Sequence, residues 1–140
     1  MTAGMITLAD LAGEWALTRR IIDHLGGREG RFVGRCHWRP DAHGLRQEEQ
    51  GLLHYADAPP MQANRSYLWR AEGGGLAVYF DDGRPFHCLA LGRLFDRHHC
   101  APDIYDVRYD FSQFPDWTQS WQVAGPRKNM TIISRFQPRP

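Results

Sequence analysis

The chain has 140 residues, 42% of them hydrophobic, which suits one globular domain with one core and excludes wholesale disorder. Its 17 basic and 16 acidic residues leave a net charge of +1, without the basic excess by which a protein coats nucleic acid. No run approaches the ~20 apolar residues of a membrane span. The start, MTAGMITLADLAGEW, lacks the basic segment and apolar run of a secretory leader. With three cysteines (Cys36, Cys88 and Cys100), it predicts reduced thiols and a cytoplasmic protein.

In chain order, the first element is one helical turn in TLADLAG (7–13), where Thr7 and Asp10 form a capping-box pattern and Gly13 is a stop. From there the period is two. EWALTRRII (14–22), GRFVGRCHW (30–38), LRQEEQGLLHY (45–55), ANRSYLWRA (63–71), GLAVYF (75–80) and PFHCLAL (85–91) read as strands. So do IYDVRYDF (104–111), WTQSWQV (117–123) and MTIISRF (130–136). All are rich in aromatic and β-branched residues and are bounded by turn formers. Several turns, such as EGGG and DDG, are so short that only antiparallel pairing is possible. Residues 92–102, GRLFDRHHCAP, read as a long connection, with Leu94 and Phe95 placed to cover an opening. The pattern predicts an all-β fold, a single antiparallel up-and-down β-barrel of about 8–10 strands with a short N-terminal helical turn. It occupies residues 1–140 as one domain.

Alternation sorts the side chains onto faces. Trp15, Leu17, Arg19 and Ile21 share one; Leu45, Gln47, Glu49, Gly51, Leu53 and Tyr55 another; Ala63, Arg65, Tyr67 and Trp69 a third. Tyr105, Val107, Tyr109 and Phe111 form a row, as do Trp117, Gln119, Trp121 and Val123. Three of these apolar rows carry a charge near the middle: Arg19, Glu49 and Arg65. An unpaired buried charge costs several kcal/mol, so the three are expected to neutralise one another inside the barrel, leaving one positive charge for an acidic ligand. The alternatives are rows that face solvent, or an ion network that only fixes register. Cys36 and Cys88 are expected in the core.

Gly13-Glu14-Trp15, after a helical turn, resembles the G-x-W of lipocalin-like (calycin) barrels. That resemblance implies that Trp15 packs at the closed end of the barrel under an arginine of the last strand, here Arg135. The set GRFVG, EEQG, RSYLW, DGRPFH, HHCAPDIYDVRYDF and WQVAGPRKN is similar to a family of unknown function with a lipocalin-like fold (domain of unknown function 6314), from Gly13 to Phe136. Its H-x-C-x-x-D-x-Y and W-x-V-x-G-P-R-K motifs mark His98, Cys100, Asp103, Tyr105, Trp121, Gly125, Arg127 and Lys128. Asn129 stands where an acidic residue is expected. The resemblance implies a fold and carries no activity.

Several chemistries compete for these residues. Zinc would draw on His87, His98, Cys100 and Asp103, but the chain has neither a CxxC pair nor an HExxH motif. Haem would need His87 or His98 as its axial ligand. No metal or cofactor is predicted. Acid–base catalysis would use Tyr105, Tyr109, Arg19, Arg65 and Glu49; calycin barrels with cofactor-free decarboxylase activity offer a fold-level analogy only. The reading reached is a small-molecule-binding barrel whose cavity is lined by Arg19, Glu49, Arg65, Tyr67, His87, His98, Cys100, Asp103, Tyr105, Tyr109, Trp121 and Arg127. Its ligand is small and anionic or aromatic. The partner predicted is that ligand, with neither nucleic acid nor membrane. The alternatives are a small enzyme and a filled barrel that acts as an interaction or homodimer module.

Overall fold

The structure is a computed structural model that describes residues 6–139; the first five residues of the stretch read for a leader lie outside it. Thr7 caps the short helix α1 (Leu8–Leu11): its side chain accepts from the Asp10 amide, and the Asp10 carboxylate accepts from the Thr7 amide at 2.9 Å. Ten strands follow: β1 (Gly13–Asp23), β2 (Arg28–Pro40), β3 (Leu45–Tyr55), β4 (Met61–Glu72), β5 (Gly75–Phe80), β6 (Pro85–Leu89), β7 (Phe95–Cys100), β8 (Asp103–Asp110), β9 (Trp117–Gly125) and β10 (Lys128–Pro138). They form one antiparallel sheet in the order β6-β5-β4-β3-β2-β1-β10-β9-β8-β7, an up-and-down meander coiled into a nearly closed barrel. β10 pairs with β1, while β6 and β7 face each other across a seam without a ladder. No helix among the described residues is long and apolar enough to cross a membrane.

One strand escaped the sequence pattern. The long connection expected over 92–102 contains β7, whose outer face is Phe95, Arg97 and His99 and whose inner face begins with Asp96 and His98. With apolar residues only at its two ends, Phe95 and Cys100, its alternation is invisible to hydrophobic patterning. It is held instead by the ladder to β8 and by the cross-strand pair of Arg97 Nε on Asp106 Oδ1 at 2.7 Å. Phe95 covers no opening: it is exposed, with the Arg93 and Arg108 guanidinium groups each 5.5 Å from its ring centre.

The charged rows point inward as alternation requires. At the end of the barrel covered by α1, Trp15, Trp38, Trp69, Trp117 and Phe136 are buried against one another, with Trp117 stacked on Phe136 at 4.1 Å. The Trp15 indole donates to the Leu11 carbonyl at 2.8 Å, tying the helix to this floor. Trp15 therefore lies at the closed end, but Arg135 does not cover it. Arg135 alternates outward on β10, where its Nε binds Asp116 Oδ1 at 3.0 Å. Cys36 is fully buried, whereas Cys88 is exposed, contrary to expectation. The cause is a bulge in β6: Val78 pairs with His87 and Tyr79 with Pro85, so Phe86 has no residue opposite it. The extra residue resets the phase, turning Phe86 and His87 both inward and Cys88 out.

Candidate functional site

Midway up the barrel the side chains become polar. Arg19 reaches from β1 to Glu49 on β3 with both terminal nitrogens, each hydrogen bond 2.9 Å long, and its Nε donates to Ser134 Oγ on β10 at 2.7 Å. The Glu49 carboxylate also accepts from Gln47 Nε2 at 3.0 Å, and Gln47 Oε1 accepts the Trp69 indole N–H at 2.6 Å. The Glu49 side chain is 3% exposed and that of Arg19 10%, so this is a buried two-pronged ion pair with its remaining valences engaged. Burial draws the Arg19 guanidinium towards neutrality, but the charge and hydrogen bonds of Glu49 outweigh it and hold the net shift upward. Of the three charges expected to neutralise one another, Arg19 and Glu49 do. Arg65 stands beside Glu49 in the ladder, yet has no carboxylate partner among the described residues; its closest polar contact is the Tyr67 hydroxyl, at 3.5 Å.

A second group faces this pair from the other wall. Gln119 Nε2 donates to the Tyr109 oxygen at 2.7 Å, and His87 Nε2 lies 2.8 Å from the same oxygen. With Gln119 as the donor, the Tyr109 hydroxyl is left to donate to His87 Nε2, which places the imidazole proton on Nδ1. That Nδ1–H is buried and has no partner. Burial lowers the His87 pKa to about 3 and pushes the Tyr109 phenol far above its ordinary value, so both are neutral at physiological pH.

Arg19, Glu49, Arg65, Tyr67, His87, Tyr109 and Trp121 line one chamber of about 40 Å³, together with Gln47, Phe86 and Gln119. This volume holds one or two waters or a ligand's head group, far below the ~300 Å³ or more of a site for a drug-sized molecule. Phe86 roofs it, stacked on Trp121 at 4.9 Å and on Phe80 at 4.4 Å. A wider hollow of about 580 Å³ opens on the outer face over Arg35, His37, Arg39 and Glu48. It is a trough among solvated charges, such as the Arg39–Glu48 pair at 2.6 Å.

The other expected residues gather at the open end. His98 packs edge-on to Phe80, Phe86 and Tyr105, between the chamber and the mouth. Asp103 opens β8 and lies 3.5 Å from Lys128; a side chain at Gly125 would collide with its carboxylate. Tyr105 is half-buried beside Trp121, with Lys128 Nζ 3.5 Å from its hydroxyl. Cys100, the last residue of β7, and Arg127, on the turn between β9 and β10, are exposed and do not line the chamber. Among the described residues no three His, Cys, Asp or Glu side chains group as metal ligands, so the zinc set considered from the sequence is not assembled. Haem does not fit: the chamber is far smaller than a porphyrin, and His87 Nε2 is engaged by Tyr109.

Gln47, Gln119, Ser134 and Phe86 were absent from the sequence-derived set. The first two sat in rows already read as inward and were legible as polar interruptions; Phe86 was hidden by the bulge.

Comparison with known proteins bears on this barrel as a whole. A family model described as a family of unknown function, DUF6314, matches residues 11–138. The chain belongs to this family. The match takes in all ten strands entire, and with them every residue of the chamber. Neither a curated protein nor a solved structure matches the chain.

Proposed function

We propose that this DUF6314 protein is a lipocalin-like binding protein that takes a small anionic ligand into the chamber between Arg19–Glu49 and His87–Tyr109. One observation carries the reading: His87, which lines the chamber, has a buried Nδ1–H that the protein leaves unmatched, and the exposed Arg65, which has no carboxylate partner among the described residues, lines the same chamber. A buried donor without an acceptor costs about 1–3 kcal/mol, and an anion's oxygens would satisfy the His87 Nδ1–H while pairing with the Arg65 guanidinium. The Arg19–Glu49 pair is neutral as a unit, so Arg65 gives the chamber a net positive character that favours a carboxylate.

Binding is favoured over acid–base catalysis by the same environment. A general base works best with a pKa near the operating pH, whereas His87 is held at about 3 and Tyr109 is shifted upward, away from neutrality. Glu49 is bound by three hydrogen bonds. The competing reading is a filled barrel that serves as an interaction module, and the small volume of the chamber is the observation in its favour.

Native mass spectrometry of the freshly purified protein, compared with its denatured mass, tests for a retained ligand. Chemical unfolding in acetate and propionate then tests for exchangeable binding. A hundredfold excess over Kd is expected to stabilise the fold by about 2.7 kcal/mol, and Arg65→Met to abolish the effect without unfolding the protein. A bare native mass with no stabilisation by either acid supports the filled barrel and overturns the reading.

A further inference from the structure

The roof of the chamber is built unlike its walls. Phe86 is an interior aromatic within a strand that no ladder partner opposes, because the β6 bulge inserts it between two paired residues. Its ring lies face-on to Trp121 (4.9 Å, 4°), Phe80 (4.4 Å, 25°) and Tyr67 (5.7 Å, 19°), and edge-on to His87 (4.7 Å) and His98 (5.2 Å). This is the surrounding that a planar aromatic ligand would need, occupied by a side chain of the protein. Phe86 is half-buried, unlike the floor tryptophans, and the turn beside it (81–84) is exposed. The next residue is His87, whose Nδ1–H has no acceptor, and Arg65 lines the same chamber.

Size sharpens the argument. An apolar cavity of about 150 Å³ takes a benzene ring; with Phe86 in place the chamber offers about 40 Å³. A ring can enter only where a ring already sits. Bulges re-aim side chains next to binding sites, and a residue without a ladder partner can swing away without breaking the pairing of its neighbours.

We propose that Phe86 fills the ring-binding position of this barrel, and that the ligand is a planar aromatic acid whose ring replaces Phe86 on Trp121 while its carboxylate takes the Arg65 and His87 donors. This inference rests on the reading of the chamber as a binding site and adds to it the class of ligand and the residue that selects it. Phe86 then acts as a gauge: only a ligand whose ring restores the lost stacking compensates for its displacement.

Calorimetric titration of the full chain with benzoate, cyclohexanecarboxylate and acetate tests the proposal, with Trp121 fluorescence as a second readout. Benzoate is expected to bind the unaltered protein about tenfold more tightly than cyclohexanecarboxylate, which has the same charge and similar bulk but no flat π-face. In Phe86→Ala, benzoate binding strengthens by about a further tenfold because no ring must leave, a larger gain than either other acid shows. Phe86→Leu, which keeps more of the core volume, shows a smaller gain in the same direction and serves if the alanine variant does not fold. Equal affinities for all three acids, with no response to either substitution, overturn the ring site and leave a chamber for small anions. Benzoate binding to Phe86→Ala but not to the unaltered protein makes Phe86 a permanent plug and also overturns it. No binding of any acid to any form removes the chamber reading itself.

Discussion

His87 sits where a histidine is costly. Its folded pKa of about 3 lies well below the ordinary 6.5, because burial disfavours the imidazolium and His98 adds to the penalty, with Asp96 opposing. Between these two values the unfolded chain binds a proton that the native protein does not, so stability rises with pH across that window and falls as acid is added. The loss is on the order of 3 kcal/mol by pH 4, before the surface aspartates held below 3.8 begin to contribute. Urea unfolding at a series of pH values from 7 to 4 should therefore show a slope that His87→Gln flattens, since glutamine keeps an acceptor for the Tyr109 hydroxyl and adds no charge. An unchanged slope in that variant would move the effect to other groups. At this scale the sequence is a good guide to the charged residues and a poor one to the roof. Arg19, Glu49 and Arg65 stood out because a charge in an apolar row is conspicuous. Phe86 looks like an ordinary core residue, and only the register of β5 on β6 reveals that it and His87 share the interior.

At the scale of strands, alternation is a strong constraint because a slip by one residue would turn every core side chain of a strand outward. That is why the rows on β1, β3, β4, β8 and β9 could be read directly. β7 could not: four of its six residues are polar, and its identity as a strand comes from the partner β8. Curvature has a similar non-local origin. Gly34 and Gly51 face each other across the β2–β3 ladder, and a Cβ at position 34 would meet the Gln50 carbonyl oxygen and come within 2.7 Å of Gly51 Cα. Both obstacles are backbone and cannot rotate aside, so the two strands approach closely only because neither carries a side chain there. Gly34→Ala is expected to cost about 1–3 kcal/mol, the range of an overpacked core site. Equilibrium denaturation would show this as a lower midpoint with an unchanged slope. A neutral effect would mean that the hairpin can splay at this point.

At the scale of the molecule, the barrel is strongest opposite its weakest line. β1, β2 and β3 run 11, 13 and 11 residues in continuous register, while β6 and β7, with 5 and 6, meet without a ladder. The seam is bridged by the Asp96 carboxylate on β7, which accepts the Cys88 backbone N–H of β6 at 2.7 Å, and deeper inside by His87 on Tyr109. Although burial works against its ionisation, the amides of Cys88 and Arg97 and the nearby Arg93 hold Asp96 below the usual carboxylate range. A side chain here replaces a strand pair, which lets the two edges part without a whole ladder breaking. The same seam flanks Phe86 and His87, so local opening would loosen the roof of the chamber before the floor. Native-state hydrogen exchange is therefore expected to show β6 and β7 opening below the global unfolding free energy, with β1–β3 exchanging only through global unfolding. Asp96→Ala should speed exchange at the Cys88 amide by more than it speeds exchange in β1–β3. Equal acceleration throughout would mean that the seam opens only when the entire barrel unfolds, and that entry to the chamber must lie at the mouth instead.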